Sequence, residues 1–151
     1  MPEATRKFTA LSGADKWLHL EALASLTYTS LALKFRPAQK LVHRHPDTHL
    51  ACGQGTDDTA SRVGLAVARV AGHCFWHPAC LPQALAAARL LKRRDIPCSI
   101  ELGVKKTPDA MEAHAWVDVS GTIIIGQNNR HEYEAIGPLA NAGETLPHGL
   151  S

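Results

Sequence analysis

Residues 112–125 read EAHAWVDVSGTIII, and this stretch decides the fold. In its first half, Ala115, Val117 and Val119 alternate with polar or aromatic residues, as in a strand that buries one face. In its second half, Thr122 begins a short apolar run, and Ser120-Gly121 between the halves is typical of a two-residue hairpin turn. The stretch therefore predicts an antiparallel hairpin with His114 on the face away from the apolar residues.

The chain before this hairpin predicts one more strand and three helices. The strand covers residues 98–104, where apolar and polar residues alternate. The helices cover residues 15–35, a stretch capped by Asp57 or Asp58 that ends at Gly72, and a stretch from about Cys80 to Arg94. Residues 43–57 predict a polar loop. Helices first and strands after indicate an α+β fold.

The first helix has apolar residues on more than one side. Ser12 and Asp15 predict its start, and it stops before Pro37. One stripe at helical spacing comprises Trp17, Leu20, Ala24, Tyr28, Leu31 and Phe35, whereas Leu18, Leu26 and Leu33 lie off it. This pattern predicts a helix buried between other elements or against another protein. A membrane span is disfavoured because the stretch carries His19, Glu21 and Lys34.

Length and composition restrict the class of protein. The 151 residues, 45% of them hydrophobic, suit a single domain over residues 15–139, with an arm over 1–14 and a disordered tail over 140–151. A net charge of +2 gives no support for nucleic-acid binding. The first residues lack the features of a signal peptide, and the four cysteines form no dense framework, so we expect reduced thiols in the cytoplasm.

Cys80 is the candidate nucleophile. Pro82 is tolerated in the first turn of a helix, so it predicts a helix start beside Cys80. A thiol there experiences the positive end of the helix dipole, which favours the reactive thiolate. The unpaired N–H groups of the same turn can receive an oxyanion. An inert buried cysteine fits the local sequence equally well.

His114 is the candidate base, and three residues compete to orient it. Alternatively, His114 is a structural histidine of the core with no catalytic role. If Val119 pairs with Thr122, the same register places Gln127 opposite His114, close enough to accept its N–H. A register slip of one residue would substitute Asn128. Asp118 lies four residues along the strand, roughly 13 Å away.

At this point the residues resemble a known family. The runs CLPQAL (80–85), LLKRRDIP (90–97), IELGV (100–104) and AHAWV (113–117) are similar to the leader peptidases of lasso-peptide biosynthesis, which are transglutaminase-like cysteine proteases. The N-terminal helix with LEAL (20–23) and the ending from Tyr133 to Leu139 are also similar, so the resemblance covers about residues 8–139. It implies a transglutaminase-like or papain-like core in which Cys80 and His114 are catalytic, and it implies no cofactor and no metal.

The resemblance also implies substrate and partners. The substrate would be a ribosomally made precursor peptide, usually with threonine as the next-to-last leader residue. The released core peptide would go to an ATP-dependent lasso cyclase, a further candidate partner. Members need a leader-recognition domain, and with one long helix ahead of its protease-like part this chain resembles the split form, in which that domain is a separate protein.

Two positions depart from the family. Its third catalytic residue is usually an aspartate on the strand after the histidine, where this chain reads IGQNN over residues 125–129. An amide can orient a histidine but stabilises the imidazolium less, so slower turnover is expected. Asp95 stands where the family commonly has glycine, a change expected to affect only the turn.

Three other functions compete with a protease. A metal site could form from His43, His45, His49 and Cys52, or from His73, Cys74 and His77, although neither set has the spacing of a standard zinc finger. A protease-like scaffold without activity is the second. A transglutaminase that transfers the acyl group to an amine is the third, since the same thiol and imidazole serve both reactions.

Overall fold

The computed structural model describes residues 12–37 and 54–138. Its elements, in chain order, are α1 (Gly13–Phe35), α2 (Gln54–His73), α3 (Cys80–Lys92), β1 (Ser99–Lys106), β2 (Met111–Val119), β3 (Thr122–Ile125), a 3₁₀ helix (Gln127–Glu132) and β4 (Glu134–Pro138). The prediction of helices followed by a small antiparallel sheet is confirmed, and the fold is α+β. The predicted tail over 140–151 and most of the predicted arm over 1–14 lie outside the described residues.

Helix α1 begins where its cap was predicted, and it buries one of its two apolar faces. The Ser12 hydroxyl accepts from the Asp15 N–H at 3.2 Å, so it caps the first turn. Leu18, Ala22 and Leu26 are buried against α2 and α3. The other apolar face is exposed and carries Trp17, Leu20, Tyr28, Leu31 and Phe35. We call these five residues the α1 stripe.

An ion pair ties α1 to the end of α3. The Arg94 guanidinium lies 2.5 Å from the Glu21 carboxylate, and Arg93 reaches the same carboxylate at 3.5 Å. Glu21 is well shielded, with 13% of its side chain exposed, so this pair is less screened by solvent than a surface pair. The LEAL and LLKRRDIP runs quoted above therefore meet in space.

Helix α2 begins earlier than its sequence predicted. It starts at Gln54, so residues 54–57 belong to the helix and not to the predicted loop, of which residues 43–53 lie outside the described residues. Val63 and Val67, four residues apart on one face of the helix, are fully buried. Gly64 also faces inward: a Cβ there would overlap the main-chain oxygen of Ile124 on β3. The missing side chain lets the helix lie directly on the strand.

Helix α3 is the central helix, and it ends in a turn that favours glycine. Leu85, Leu90 and Leu91 are buried between α1, α2 and the sheet. Ile96 N–H donates to Leu91 O at 3.0 Å, which closes the helix with Asp95 in the left-handed conformation at φ 55°. Aspartate is among the few residues with a Cβ that adopt this conformation at a modest cost.

The sheet has the strand order β3-β2-β1-β4, and each neighbouring pair is antiparallel. Ile100, Ala115, Val117, Val119 and Ile125 pack with the helices in one hydrophobic core. The sequence did not predict β4, which joins the far edge of β1. Its partner lies about 30 residues earlier in the chain, and its short run with Gly137 and Pro138 lacks a strand pattern.

Among the described residues, no helix is both long and apolar enough to cross a membrane.

Candidate active site

Cys80 is the first residue of α3 and is partly buried. Ala79 is the residue before the helix, and Gln83 N–H makes the first helical bond, to Ala79 O at 3.3 Å. The main-chain N–H groups of Cys80 and Leu81 precede that bond, so the helix does not use them. The position beside a helix N-terminus predicted for this thiol is confirmed. It provides N–H donors and the positive end of a helix dipole for an anion.

A tight turn leads the chain into Cys80. His77 N–H donates to Cys74 O at 3.1 Å, and His77 itself adopts φ 43°, which is uncommon for a residue with a side chain. The Gln83 amide nitrogen donates to Pro78 O at 2.9 Å and fastens this turn to α3. Phe75 at the tip of the turn is 88% exposed.

The start of α3 lies against the first half of β2. The Cys80 sulfur is 3.9 Å from the main-chain oxygen of Ala113, the residue directly before His114. In the described part of the chain, no hydrogen bond joins the thiol to the imidazole. The fold therefore brings the Cys80 side chain against the main chain of the residue that precedes His114. Catalytic hydrogen bonds are often long in the free enzyme and tighten when substrate binds.

His114 lies on the sheet face away from the helices, as the alternation predicted. Ala115, Val117 and Val119 belong to the core cluster, and Trp116 shares the opposite face with His114. That face is not an open polar surface, because Trp116 on it is completely buried. The segment from Gly126 to Tyr133 supplies part of the cover.

Trp116 is held on several sides. Its indole N–H donates to the Glu101 carboxylate at 2.7 Å, and the Arg130 guanidinium lies 5.5 Å from the ring centre and 3.4 Å from the same carboxylate. Gly103 on β1 makes room beneath the ring, since a Cβ there would lie 2.5 Å from its edge. The packed indole gives the neighbouring His114 a rigid support.

The register predicted for Gln127 is wrong. Val119 does pair with Thr122 and Asp118 with Ile123, as the turn predicted, but a bulge follows and Val117 pairs with Ile125. Strand β3 ends there because Gly126 turns into the left-handed conformation, at φ 86°. Gln127 is therefore not paired with His114. It opens the 3₁₀ helix as an exposed residue whose amide nitrogen contacts Ile123 O.

The two other candidates for the third residue fare differently. Asp118 uses its carboxylate in the hairpin turn, where it accepts from the Gly121 N–H at 2.9 Å. It is thus committed to the turn, four residues from His114. The side chain of Asn128 lies outside the described residues.

Sequence reasoning missed two residues that contact His114. The Tyr133 ring stacks on the imidazole, with ring centres 5.1 Å apart and planes inclined by 28°. Gly126 lies against the imidazole edge: a Cβ there would be 3.0 Å from His114 Nε2. A glycine after an apolar strand is a signal for a backbone turn, but nothing local links Tyr133 to a histidine 19 positions earlier.

The other described cysteines differ from Cys80 in their surroundings. Desolvation raises the pKa of the Cys98 thiol to about 11 and raises that of buried Cys74 as well. Both thiols therefore stay protonated near neutral pH, the unreactive form. All three described cysteines are free, and Cys52 lies outside the described residues.

The alternative of a metal site finds no cluster of ligands among the described residues. Residues 12–37 and 54–138 contain no group of three His, Cys, Asp or Glu side chains placed to hold a metal ion, and His73, Cys74 and His77 are among the residues covered. The other set of possible ligands lies outside the described residues and comprises His43, His45, His49 and Cys52.

The family of the chain follows from a comparison with protein-family models. The model of the transglutaminase-like superfamily matches residues 22–137, from α1 to β4. The chain therefore belongs to the transglutaminase-like superfamily, whose members are typically catalytic, with cysteine protease-like or acyltransferase-like chemistry. Searches of curated proteins and of solved structures give no match.

Proposed function

We propose that this protein is a cysteine endopeptidase that removes the leader from a lasso-peptide precursor. The observation that carries the proposal is the thiol of Cys80, which lies at the start of α3 and 3.9 Å from the main-chain oxygen of Ala113, the residue before His114. The superfamily supports thiol-based acyl chemistry, and the four sequence runs quoted above support the choice of substrate. The protein would work in the cytoplasm, where free thiols persist.

The chemistry would proceed in two stages. The Cys80 sulfur attacks the carbonyl carbon between leader and core, and His114 takes the thiol proton and passes it to the departing core amine. The N–H groups of Cys80 and Leu81 stabilise the oxyanion. Water deprotonated by His114 then hydrolyses the thioester, which releases the leader carboxylate and restores the thiol.

His114 Nδ1 is the nitrogen we assign to proton exchange with the thiol. His114 Nε2 is fully buried and faces Gly126, so it is the nitrogen that needs an orienting acceptor. Gln127 follows Gly126 directly and can supply an amide oxygen if its side chain turns away from Ile123. We therefore retain Gln127 as the third catalytic residue of the proposal. Its side chain would reach His114 from the position next to Gly126, and not through pairing of β2 with β3.

The partner in the proposal is a separate leader-recognition protein, and the lasso cyclase would receive the product. The α1 stripe supports this part, since a contiguous exposed apolar face is typical of a protein-binding surface. An inactive scaffold could bind a partner through the same stripe. Only the chemistry of the Cys80 thiol distinguishes a protease from such a scaffold.

The decisive experiment combines the purified protein with its precursor peptide and the recognition protein. Mass spectrometry should show free leader and a core peptide with a new amino terminus. Addition of a small primary amine tests the acyltransferase alternative, because a transferase would join that amine to the leader carboxyl. Amine-labelled leader as the main product, or intact precursor at full partner concentration, would refute the peptidase.

A further inference from the structure

The His114 ring lies among three groups that no sequence motif assigned to it. Tyr133 stacks on its face, Trp116 is tilted against it with ring centres 6.0 Å apart, and Gly126 closes its Nε2 edge. Within the described residues, Nε2 has no hydrogen-bond partner. Ring packing, and not a hydrogen bond, therefore sets the position of the imidazole in this state.

Two of these groups flank a single short element. Gly126 is the residue before the 3₁₀ helix, and Tyr133 is the residue after it, where its N–H donates to Arg130 O at 3.1 Å. Both ends of the helix thus return to the same imidazole. Any shift of residues 126–133 would move one or both contacts on His114.

Gly126 permits this approach in two ways. Its φ of 86° is unfavourable for residues with a Cβ. A Cβ would also lie 3.0 Å from His114 Nε2, 3.0 Å from Trp116 Cβ and 3.1 Å from Ala115 O. The backbone can close against the ring because residue 126 has no side chain.

Tyr133 is itself fixed in place. Its hydroxyl is 3.4 Å from the Glu112 carboxylate, and the Lys105 ammonium lies 5.9 Å from its ring centre. Lys105 in turn pairs with Glu132 at 2.6 Å. Burial, with Glu112 beside it, raises the pKa of Tyr133, so the ring presented to His114 is the neutral phenol.

We propose that Tyr133 and Gly126 are positioning residues for His114, which hold the imidazole in the orientation needed to serve the Cys80 thiol. This inference rests on the proposed thiol–imidazole chemistry. Stacking fixes the plane of the ring and leaves its in-plane nitrogens free. It provides orientation in a site that lacks the carboxylate found in the family.

The test uses two matched pairs of variants. Tyr133→Leu removes the ring, whereas Tyr133→Phe keeps the stack and loses the hydroxyl contact with Glu112. Gly126→Ala places a Cβ against His114, whereas Gly121→Ala meets the same backbone penalty at φ 87° with no atom within 4 Å. Circular dichroism would verify that each variant is folded.

Two measurements are independent of the natural substrate. Carbon-13 NMR of the His114 ring reports its position in Gly126→Ala, because that variant keeps the Tyr133 ring and its ring current. The rate at which iodoacetamide alkylates Cys80 at pH 7 reports the thiol–imidazole pair. Gly126→Ala should move the His114 signals, and both Tyr133→Leu and Gly126→Ala should lower the alkylation rate about two- to tenfold, the scale of one aromatic stack. Tyr133→Phe and Gly121→Ala should stay close to the parent.

An unchanged alkylation rate in folded Tyr133→Leu would overturn the proposal. Equal losses in Tyr133→Phe and Tyr133→Leu would also overturn it, since the ring would then not be the cause. If Tyr133→Leu does not fold, the Gly126→Ala and Gly121→Ala pair decides alone. If the parent cleaves no precursor while alkylation follows the expected pattern, the proposed function fails and the positioning role stands.

Discussion

The Cys80 thiol lies 3.9 Å from the main-chain oxygen of Ala113. Because a peptide bond joins Ala113 to His114, this contact fixes the start of α3 beside the strand that carries the candidate base. This contact results from the packing of α3 against β2, and it does not require any bond between the two candidate catalytic side chains.

We expect Cys80→Ala to abolish leader cleavage while the protein stays folded. Cys80 is partly exposed at a helix start, and its removal opens no deep cavity. The same change at Cys52, Cys74 or Cys98 should leave most of the activity. Mass spectrometry of the products with each variant checks this, and full activity in Cys80→Ala would eliminate the protease mechanism.

The hairpin shows which parts of the strand pairing the local sequence predicts and which it does not. Ser120 and Gly121 adopt φ 52° and 87°, so the local turn chemistry predicted the pairing of Val119 with Thr122 correctly. The bulge between Val117 and Asp118 lies beside the close approach of Gly126 to Trp116 and His114, a tertiary contact that local sequence does not reveal. Register copied along a strand fails wherever tertiary packing inserts such an irregularity.

In the candidate active site, too, some features follow from local sequence and others depend on tertiary packing. The helix start at Cys80 and the face of His114 follow from Pro82 and from strand alternation, which are local signals. The contact of Tyr133 with His114 requires the chain to pass through β3 and a 3₁₀ helix and return. Nothing within a short window of sequence carries that information.

The pH dependence of alkylation should separate the thiols. The pKa of Cys98 is raised to about 11, so its thiolate becomes abundant only as the pH approaches that value. At pH 8 roughly one molecule in a thousand carries the Cys98 thiolate, and alkylation there should be very slow. Peptide mapping after iodoacetamide treatment at pH 7, 8 and 10 checks this. Equal labelling of Cys80 and Cys98 in folded protein at pH 7 would contradict it.

Two glycines of α2 should respond to alanine in opposite directions. At Gly64 a Cβ would overlap Ile124 O and lie 3.1 Å from Ile124 Cβ, so Gly64→Ala must separate helix from sheet. We expect its free energy of unfolding to fall by about 1–3 kcal/mol. At Gly72 no atom lies within 4 Å, and Gly72→Ala should raise stability by up to about 1 kcal/mol. Urea denaturation of both variants tests this, and equal stabilities would show that α2 does not lie directly on β3.

The α1 stripe should carry the dependence on the recognition protein. We expect the isolated chain to cleave poorly and the partner to stimulate it. The double change Leu20→Glu with Leu31→Glu should reduce that stimulation about tenfold or more, since charges in the apolar centre of an interface cost the most. Both residues are more than half exposed, so the fold should persist.

The control for that surface is Leu65→Glu. Leu65 has a similar exposure, 51%, but lies on α2. It should leave the stimulation unchanged in a titration of partner against cleavage rate. Equal rates with and without the partner in the parent protein would count against a split system, and equal effects of the two sets of variants would move the interface away from α1.

The activity should depend on which group accepts a hydrogen bond from His114 Nε2. This nitrogen is buried without a hydrogen bond in the described part of the chain, and an unsatisfied buried donor costs about 1–3 kcal/mol. Rotation of the Gln127 amide toward the ring would remove that cost, since Gly126, to which Gln127 is bonded, lies against Nε2. His114→Ala should lose nearly all activity, whereas Gln127→Ala should lose roughly ten- to a hundredfold, at the low end of the contribution of a positioned acid–base partner. Gln127→Asp should raise activity if the shorter side chain reaches Nε2, because a carboxylate also stabilises the imidazolium.

Asp118→Asn should change little, since asparagine keeps the oxygen that accepts from Gly121. Cleavage rates of the four variants decide the matter: a crippled Asp118→Asn together with a silent Gln127→Ala would make Asp118 the third catalytic residue.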